Sequence, residues 1–193
     1  MTDEHLRTFV ALELGEEMRA RIASLGAELR VRLPGVRWVR PEGMHLTLRF
    51  LGATTPAQVE RLKPTLASAA AACPPAEVAV AGLGLFPERG SPRVLWLGLS
   101  LPAPLATLQS ACERAAVATG FDREDRPFRA HLTLGRWRDR ASRPDLPPAD
   151  LGTTPVETLV LFESRLQAGG SVYAELGRFP LGGETSAPRA VDR

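Results

Sequence analysis

The stretch Met44-His45-Leu46-Thr47-Leu48-Arg49-Phe50 decides the reading, because its centre occurs twice. His45-Leu46-Thr47-Leu48 returns letter for letter as His131-Leu132-Thr133-Leu134, 131 − 45 = 86 residues later. The chain has three histidines, and two of them stand in this tetrapeptide. Polar and apolar residues alternate through both copies, which is the period of a β-strand. His45 and Thr47 then share one face, and Leu46 and Leu48 the other. The same holds for His131 and Thr133 against Leu132 and Leu134. Each strand offers an imidazole and a hydroxyl about 7 Å apart. Two such strands side by side would surround one cavity with two of each.

That set fits phosphodiester cleavage. Imidazole titrates near neutrality, so one ring can take a proton from water while the other gives one to the leaving oxygen. Thr47 and Thr133 can donate hydrogen bonds to the non-bridging phosphate oxygens. A lone strand histidine is ordinarily just a partly buried polar residue. Two identical copies, each behind a proline-containing approach (Pro41 and Pro127), favour chemistry over coincidence. Two histidines with no carboxylate or cysteine at ligand spacing make a poor metal site, so neither metal nor cofactor is expected. Arg136, just beyond the second copy, is either a further phosphate ligand at the cleft rim or an ordinary surface arginine.

The residues from Arg37 to Gly52 resemble the first signature of the two-histidine phosphoesterases. Within that superfamily they are most similar to the RNA 2′,3′-cyclic phosphodiesterases, also called 2′-5′ RNA ligases. Pro127-Phe128-Arg129-Ala130-His131-Leu132-Thr133-Leu134-Gly135-Arg136 resembles the second signature. Leu161-Phe162-Glu163-Ser164-Arg165-Leu166, with Gly170 and Tyr173, resembles the family's C-terminal strand pair. The likeness runs from about Arg7 to Pro180. It implies an α+β, bilobal fold in which two antiparallel sheets line a central cleft and helices cover the outer faces. It also implies hydrolysis of a 2′,3′-cyclic phosphate at an RNA or nucleotide end to a 2′-phosphate. His45 is then the proton donor to the 3′ oxygen and His131 the base that activates water. Ala130, where relatives often carry Pro, and Arg49, where Lys is frequent, depart from the pattern without touching that chemistry.

Composition is that of an ordinary globular protein, 44% hydrophobic and 24% charged over 193 residues. A net charge of only +2 excludes a protein that coats nucleic acid through a strongly basic face. Lys63 is the single lysine among 24 basic residues. Compositional bias accounts for most of the arginines, and bidentate phosphate contact for a few. Cys73 and Cys112 match no metal or redox spacing, and Cys112 reads as a small core residue. The acidic start, Met1-Thr2-Asp3-Glu4, is no signal peptide, and no apolar run reaches membrane-spanning length. A cytoplasmic monomer that engages no membrane is the expectation.

Along the chain, Leu6 to Leu14 reads as a central strand. A helix from Gly15 to Leu33 follows, stopped by Pro34-Gly35. Thr55-Pro56-Ala57-Gln58 is an N-cap, N1 proline and capping-box glutamine, and Pro64 should kink or shorten that helix. Val78 to Phe86 and Arg93 to Leu99 form a hairpin. A third helix ends near Gly120, and Asp122 to Arg126 reads as a solvated connection. Arg138 to Asp150 reads as a long loop that could cover the cleft. A last hairpin pairs Val156–Leu161 with Val172–Phe179. Trp38 reads as core rather than as a stacking platform. Residues 1–181 form one bilobal domain with one H-x-T-x per lobe, and 182–193 a disordered tail. Two other functions compete with hydrolysis. One is reversible 2′-5′ RNA ligation at the same site, and the other is a non-catalytic module that binds RNA ends.

Overall fold

The computed structural model describes residues 5–40, 43–167 and 170–182. The approach residue Pro41 and all of the expected tail beyond Gly182 lie outside the described residues. The strands are β1 (Leu6–Leu12), β2 (Val36–Trp38), β3 (Leu46–Thr54), β4 (Ala76–Phe86), β5 (Val94–Ser100), β6 (His131–Trp137), β7 (Asp150–Val156), β8 (Thr158–Gln167) and β9 (Gly170–Pro180). The helices are α1 (Glu16–Arg32), α2 (Pro56–Ala71) and α3 (Ala103–Ala118). The strands form two sheets, β3-β1-β8-β9 and β2-β6-β5-β4-β7. Every pairing is antiparallel. The α+β, two-sheet architecture expected from the motifs is therefore present, with one H-x-T-x strand in each sheet.

The elements form where local chemistry dictates. Acidic Glu16 and Glu17 open α1 and basic Arg30 and Arg32 close it, each against the opposite end of the helix dipole. The Thr55 hydroxyl accepts from the Gln58 amide and the Gln58 side chain accepts from the Thr55 amide, so the capping box is complete. Helices α2 and α3 pack on each other, and α2 covers the outer side of β8 and β9. Buried Val10 and Leu12 of the first sheet, Leu95, Leu97 and Leu132 of the second and Leu62, Leu66 and Leu105 of the helices belong to one continuous cluster. Cys112 is part of it, and burial pushes its thiol up to about 12. A smaller cluster of Phe9, Ala11, Val160 and Phe162 lies on the opposite side of the first sheet, with Tyr173 against it.

Three expectations need correction. Pro64 does not shorten α2, which runs unbroken to Ala71. Pro64 is exposed, so the carbonyl left without its amide partner faces water. Asp150, expected to end the loop, and Val156, expected to begin the last hairpin, are instead the two ends of strand β7, which pairs with β4. Strand β7 is the edge of its sheet, where Pro155 costs no ladder hydrogen bond. Finally, among the described residues none of 138–149 lines the cleft. That loop instead buttresses the β4–β5 turn. Ser91 Oγ donates to Ala141 O at 3.1 Å, and Arg143 donates to Pro87 O at 3.1 Å. No helix among the described residues is long and apolar enough to cross a membrane.

Removing the cap hydroxyl takes away the side-chain acceptor of the Gln58 amide. Thr55→Ala should therefore cost about 1 kcal/mol in urea unfolding, with the m-value unchanged.

Candidate active site

Both motif strands bury their leucines. Leu46, Leu48, Leu132 and Leu134 are at most 3% exposed. Thr47, His131 and Thr133 are half-buried on the other face, and so is His45, one residue ahead of β3. All four, together with Arg136, line one cleft of about 2540 Å³ between the two sheets. The five residues singled out from the sequence are thus brought to one place.

The two strands share a further device. In the β1–β3 ladder Ala11 faces Thr47 and Val10 faces Arg49, which leaves Leu48 as an extra residue. In the β5–β6 ladder Trp96 faces Thr133 and Leu95 faces Gly135, which leaves Leu134 extra. Each motif therefore carries a β-bulge at its fourth residue, and a bulge reverses the alternation beyond it. The consequence is the same in both lobes. Residues 46–51 and 132–137 share one sequence of burial, with positions 50 and 136 exposed between buried neighbours. Strict alternation would send Arg136 into the core and Arg49 into the cleft. The bulges do the opposite: Arg136 and Phe50 face the cleft, and Arg49 is buried. The only hint in the sequence is an arginine at a position of core parity.

The two imidazoles sit in different surroundings. His45 is stacked against Phe9 at 4.7 Å and Phe162 at 5.1 Å, with the edge of Tyr173 at 4.9 Å. Burial in this aromatic box lowers its pKa to about 4. Gly43 makes the box possible, since a Cβ there would come within 2.9 Å of the Tyr173 ring. Reading the sequence did not single out Phe9 or Phe162, because they come from β1 and β8 and meet His45 only through strand pairing. His131 meets the edge of Phe86 at 5.2 Å. Its Nδ1 lies 2.7 Å from the carbonyl of Arg129. A carbonyl can only accept, so Nδ1 carries the hydrogen and Nε2 is the nitrogen free for proton exchange when the ring is neutral.

The electrostatics of the cleft are far from the +2 of the whole chain. Ten arginines line it, against the carboxylates of Glu88, Glu113 and Glu124. Arg49, Arg126 and Arg129 are in ion pairs. Among the described residues Arg37 and Arg136 make none, though they stand directly opposite each other on β2 and β6. Like charges facing across a ladder repel, and an anion between them offsets that cost. Trp38 is half-buried against the core as expected, carries the Arg30 guanidinium 5.6 Å above its ring, and also lines the cleft. Among the described residues no three His, Cys, Asp or Glu side chains gather as a metal site would require.

Comparison with known proteins agrees with this geometry. Residues 12–96, which include the first motif, match the family model described as "LigT like Phosphoesterase". The chain is 33% identical to the RNA 2′,3′-cyclic phosphodiesterase of Geobacillus stearothermophilus over 90% of its own length, but spans only 56% of that protein. It is 31% identical to the RNA 2′,3′-cyclic phosphodiesterase of Archaeoglobus fulgidus, over 90% of this chain and 99% of that one. The crystal structure of Escherichia coli LigT complexed with 3′-AMP superposes with a TM-score of 0.81 at 27% identity, covering 92% of this chain and 99% of that one. With the first motif inside the family-model match, and relatives of 30% identity or more matched over about nine-tenths of its length, the chain belongs to the LigT-like phosphoesterases, the two-histidine enzymes that its repeated tetrapeptide resembles.

Proposed function

We propose that the protein hydrolyses 2′,3′-cyclic phosphate ends of RNA to 2′-phosphates, with residues 1–181 working as one bilobal unit. The observation that carries this reading is the placing of two imidazole–hydroxyl pairs on two sheets around one arginine-lined cleft. In-line attack puts water and the leaving oxygen on opposite sides of phosphorus, so a group is needed on each side. His131 Nε2 takes the proton of the attacking water, and the new P–O bond forms as the P–O3′ bond breaks. His45 gives its proton to O3′. Thr47, Thr133 and Arg136 hold the non-bridging oxygens. The names of the relatives support RNA as the substrate, and so does the bound 3′-AMP in the Escherichia coli protein. Cleft arginines without a carboxylate partner and the exposed Phe50 and Phe128 suit a phosphate backbone with bases beside it.

An acid must hold a proton, yet burial leaves His45 neutral at pH 7 in the free protein. A bound phosphodiester resolves this. Its negative charge beside the ring favours the imidazolium, so His45 is charged only when substrate is present. The hydrolytic reading and its reverse, 2′-5′ ligation, use the same groups, and product analysis with RNA ends separates them. A module that only binds RNA ends would show no turnover.

The depressed pKa has a sign that can be checked. The unfolded chain binds a proton at His45 near the ordinary imidazole value of 6.5, the folded chain only near 4. The folded state therefore loses stability as pH falls through that window, by up to about 3 kcal/mol. His45→Leu should remove that part of the acid sensitivity in urea unfolding at pH 4 and 7. In kinetics, the alkaline limb of kcat should lie at higher pH than that of kcat/KM, because the complex holds the His45 proton longer. Coincident limbs would count against substrate-assisted protonation.

The roles are separated by the leaving group. On a phosphodiester with a phenolate leaving group, which departs without an acid, His45→Ala should recover much of the wild-type rate and His131→Ala should not. The reverse pattern would exchange the two assignments. The assay is run with EDTA, and turnover should survive it. In the same assay Thr47→Val and Thr133→Val should each lose on the order of 10- to 100-fold, the worth of one hydrogen bond to a charged group.

A further inference from the structure

We infer that Arg49 is a positioning residue for the reaction proposed above, tying the first motif strand to the approach of the second and so setting the His131 ring. The inference rests on that proposed function for its kinetic arm only. Arg49 lies two residues beyond Thr47, and the bulge at Leu48 turns it to the buried side of β3, where it forms part of the cleft wall at only 9% exposure. Its Nη1 donates to Phe50 O at 2.6 Å, and its Nη2 donates to the carbonyl of Asp122. Its Nε lies 2.6 Å from Glu113 Oε2 but off the line of the N–H, so that contact is ionic rather than a hydrogen bond. Glu124 lies 3.9 Å from Nη1, and its own amide donates to Glu113 Oε1 at 3.0 Å. One guanidinium thus joins β3, α3 and the segment 121–130.

Near the other end of that segment, Arg129 pairs with Glu88 at 2.6 Å and lies over the Phe86 ring. The segment contains no helix or strand, and residues 122–129 are all exposed. Gly120, at φ +96°, turns the chain out of α3 to begin it. Only Phe121 and Ala130, at its two ends, pack against the core. Yet its last carbonyl but one, that of Arg129, receives the His131 Nδ1 hydrogen at 2.7 Å. The direction of the His131 ring therefore follows the path of the segment, which Arg49 anchors at Asp122 and Glu124 where it starts and the Arg129–Glu88 pair anchors where it ends. Stability alone is a poor reason for such a group, because a buried ion pair can usually be replaced by apolar residues at no loss. A fixed distance between two proton-transfer groups is a better one, since a shift of about 1 Å can cost on the order of 100-fold in rate.

The test uses the full chain and five variants: Arg49→Met, Arg49→Lys, Glu124→Gln, the double Arg49→Met/Glu124→Gln, and Leu62→Ala as a buried control in α2. Turnover of a 2′,3′-cyclic nucleotide is split into kcat and KM. The histidine rings are followed by ¹⁵N NMR without substrate. Arg49→Met should lower kcat about 10- to 100-fold with KM within about threefold. It should also move the His131 ring resonances. Glu124→Gln should shift both readouts the same way by less, the double variant should be no worse than Arg49→Met, and Arg49→Lys should restore most of kcat. Leu62→Ala should lower the melting temperature without moving the His131 resonances. Should Arg49→Met fail to fold, Arg49→Lys and Glu124→Gln, which keep a charge or an isostere, still give both readouts. Full kcat in a folded Arg49→Met, unmoved His131 resonances, or an equal kcat loss in Leu62→Ala would each overturn the inference. A wild-type enzyme inert on every cyclic phosphate would overturn the proposed function instead, and the NMR arm would still judge Arg49.

Discussion

One extra residue in each motif strand decides what the cleft contains. A strictly alternating strand would place every second side chain in the cleft from His45 to Arg49, and would bury Arg136 with Leu132 and Leu134. The bulges at Leu48 and Leu134 break that rule at the same point in both lobes. Beyond them the cleft receives Phe50 from one strand and Arg136 from the other. The buried side receives Arg49 in one lobe and Gly135 in the other. The twin motifs are thus alike in backbone and different in use. In the second lobe the residue after the bulge has to be small, because a Cβ on Gly135 would come within 2.3 Å of Val36 Cγ1 on β2. In the first lobe β3 is an edge strand, no neighbour crowds that side, and a long guanidinium can reach across to α3.

The same placement explains how a chain of modest net charge presents a positive cleft. Several carboxylates that could neutralise arginines are paired elsewhere. Glu17 pairs with Arg21, and Glu13 and Glu175 with Arg178, all away from the motif strands. Within the cleft, Arg37 and Arg136 face each other without a carboxylate between them. Composition alone reads the arginine excess mainly as bias. The fold shows where a minority is concentrated, and local concentration rather than total charge sets the field that an anionic substrate meets.

Much of this was legible in the sequence, for reasons that are local. The period-two pattern of His45-Leu46-Thr47-Leu48 placed imidazoles and leucines on opposite faces, and so they lie. The capping box at Thr55 and Gln58 and the helix stop at Pro34-Gly35 are contained in a few consecutive residues. What was not legible is long-range. The aromatic box around His45 is assembled from β1, β8 and β9, and no spacing along the chain reports that Phe9 and Phe162 meet. Strand β7 is not evident in the sequence because Gly152 and Pro155 interrupt any strand pattern, and only its place at a sheet edge makes them tolerable. The segment from Asp122 to Arg126 is the exposed connection its charges suggest, but the contact of Arg49 with Asp122 and Glu124 could not be read from it, because charge is visible in sequence and the partner of a charge is not. The bulges were invisible too. An extra residue shows only against the strand it pairs with.

The deepest difference between the two motifs also lies outside them. Four identical letters give one imidazole that is packed against two phenyl rings and one that is half-open, with its Nδ1 hydrogen committed to a backbone carbonyl. In the proposed scheme this difference separates the roles. A base benefits from a fixed tautomer and an accessible Nε2, and the Arg129 carbonyl provides the first without adding a charge. An acid that was always protonated would place a cation in the cleft whether or not substrate were bound. A ring kept neutral by burial and charged only by an arriving phosphodiester couples its proton to the substrate. Two copies of one peptide can therefore act as opposite partners because the sheets around them differ. In that scheme the aromatic strands β1, β8 and β9 are as much a part of the acid as His45 itself.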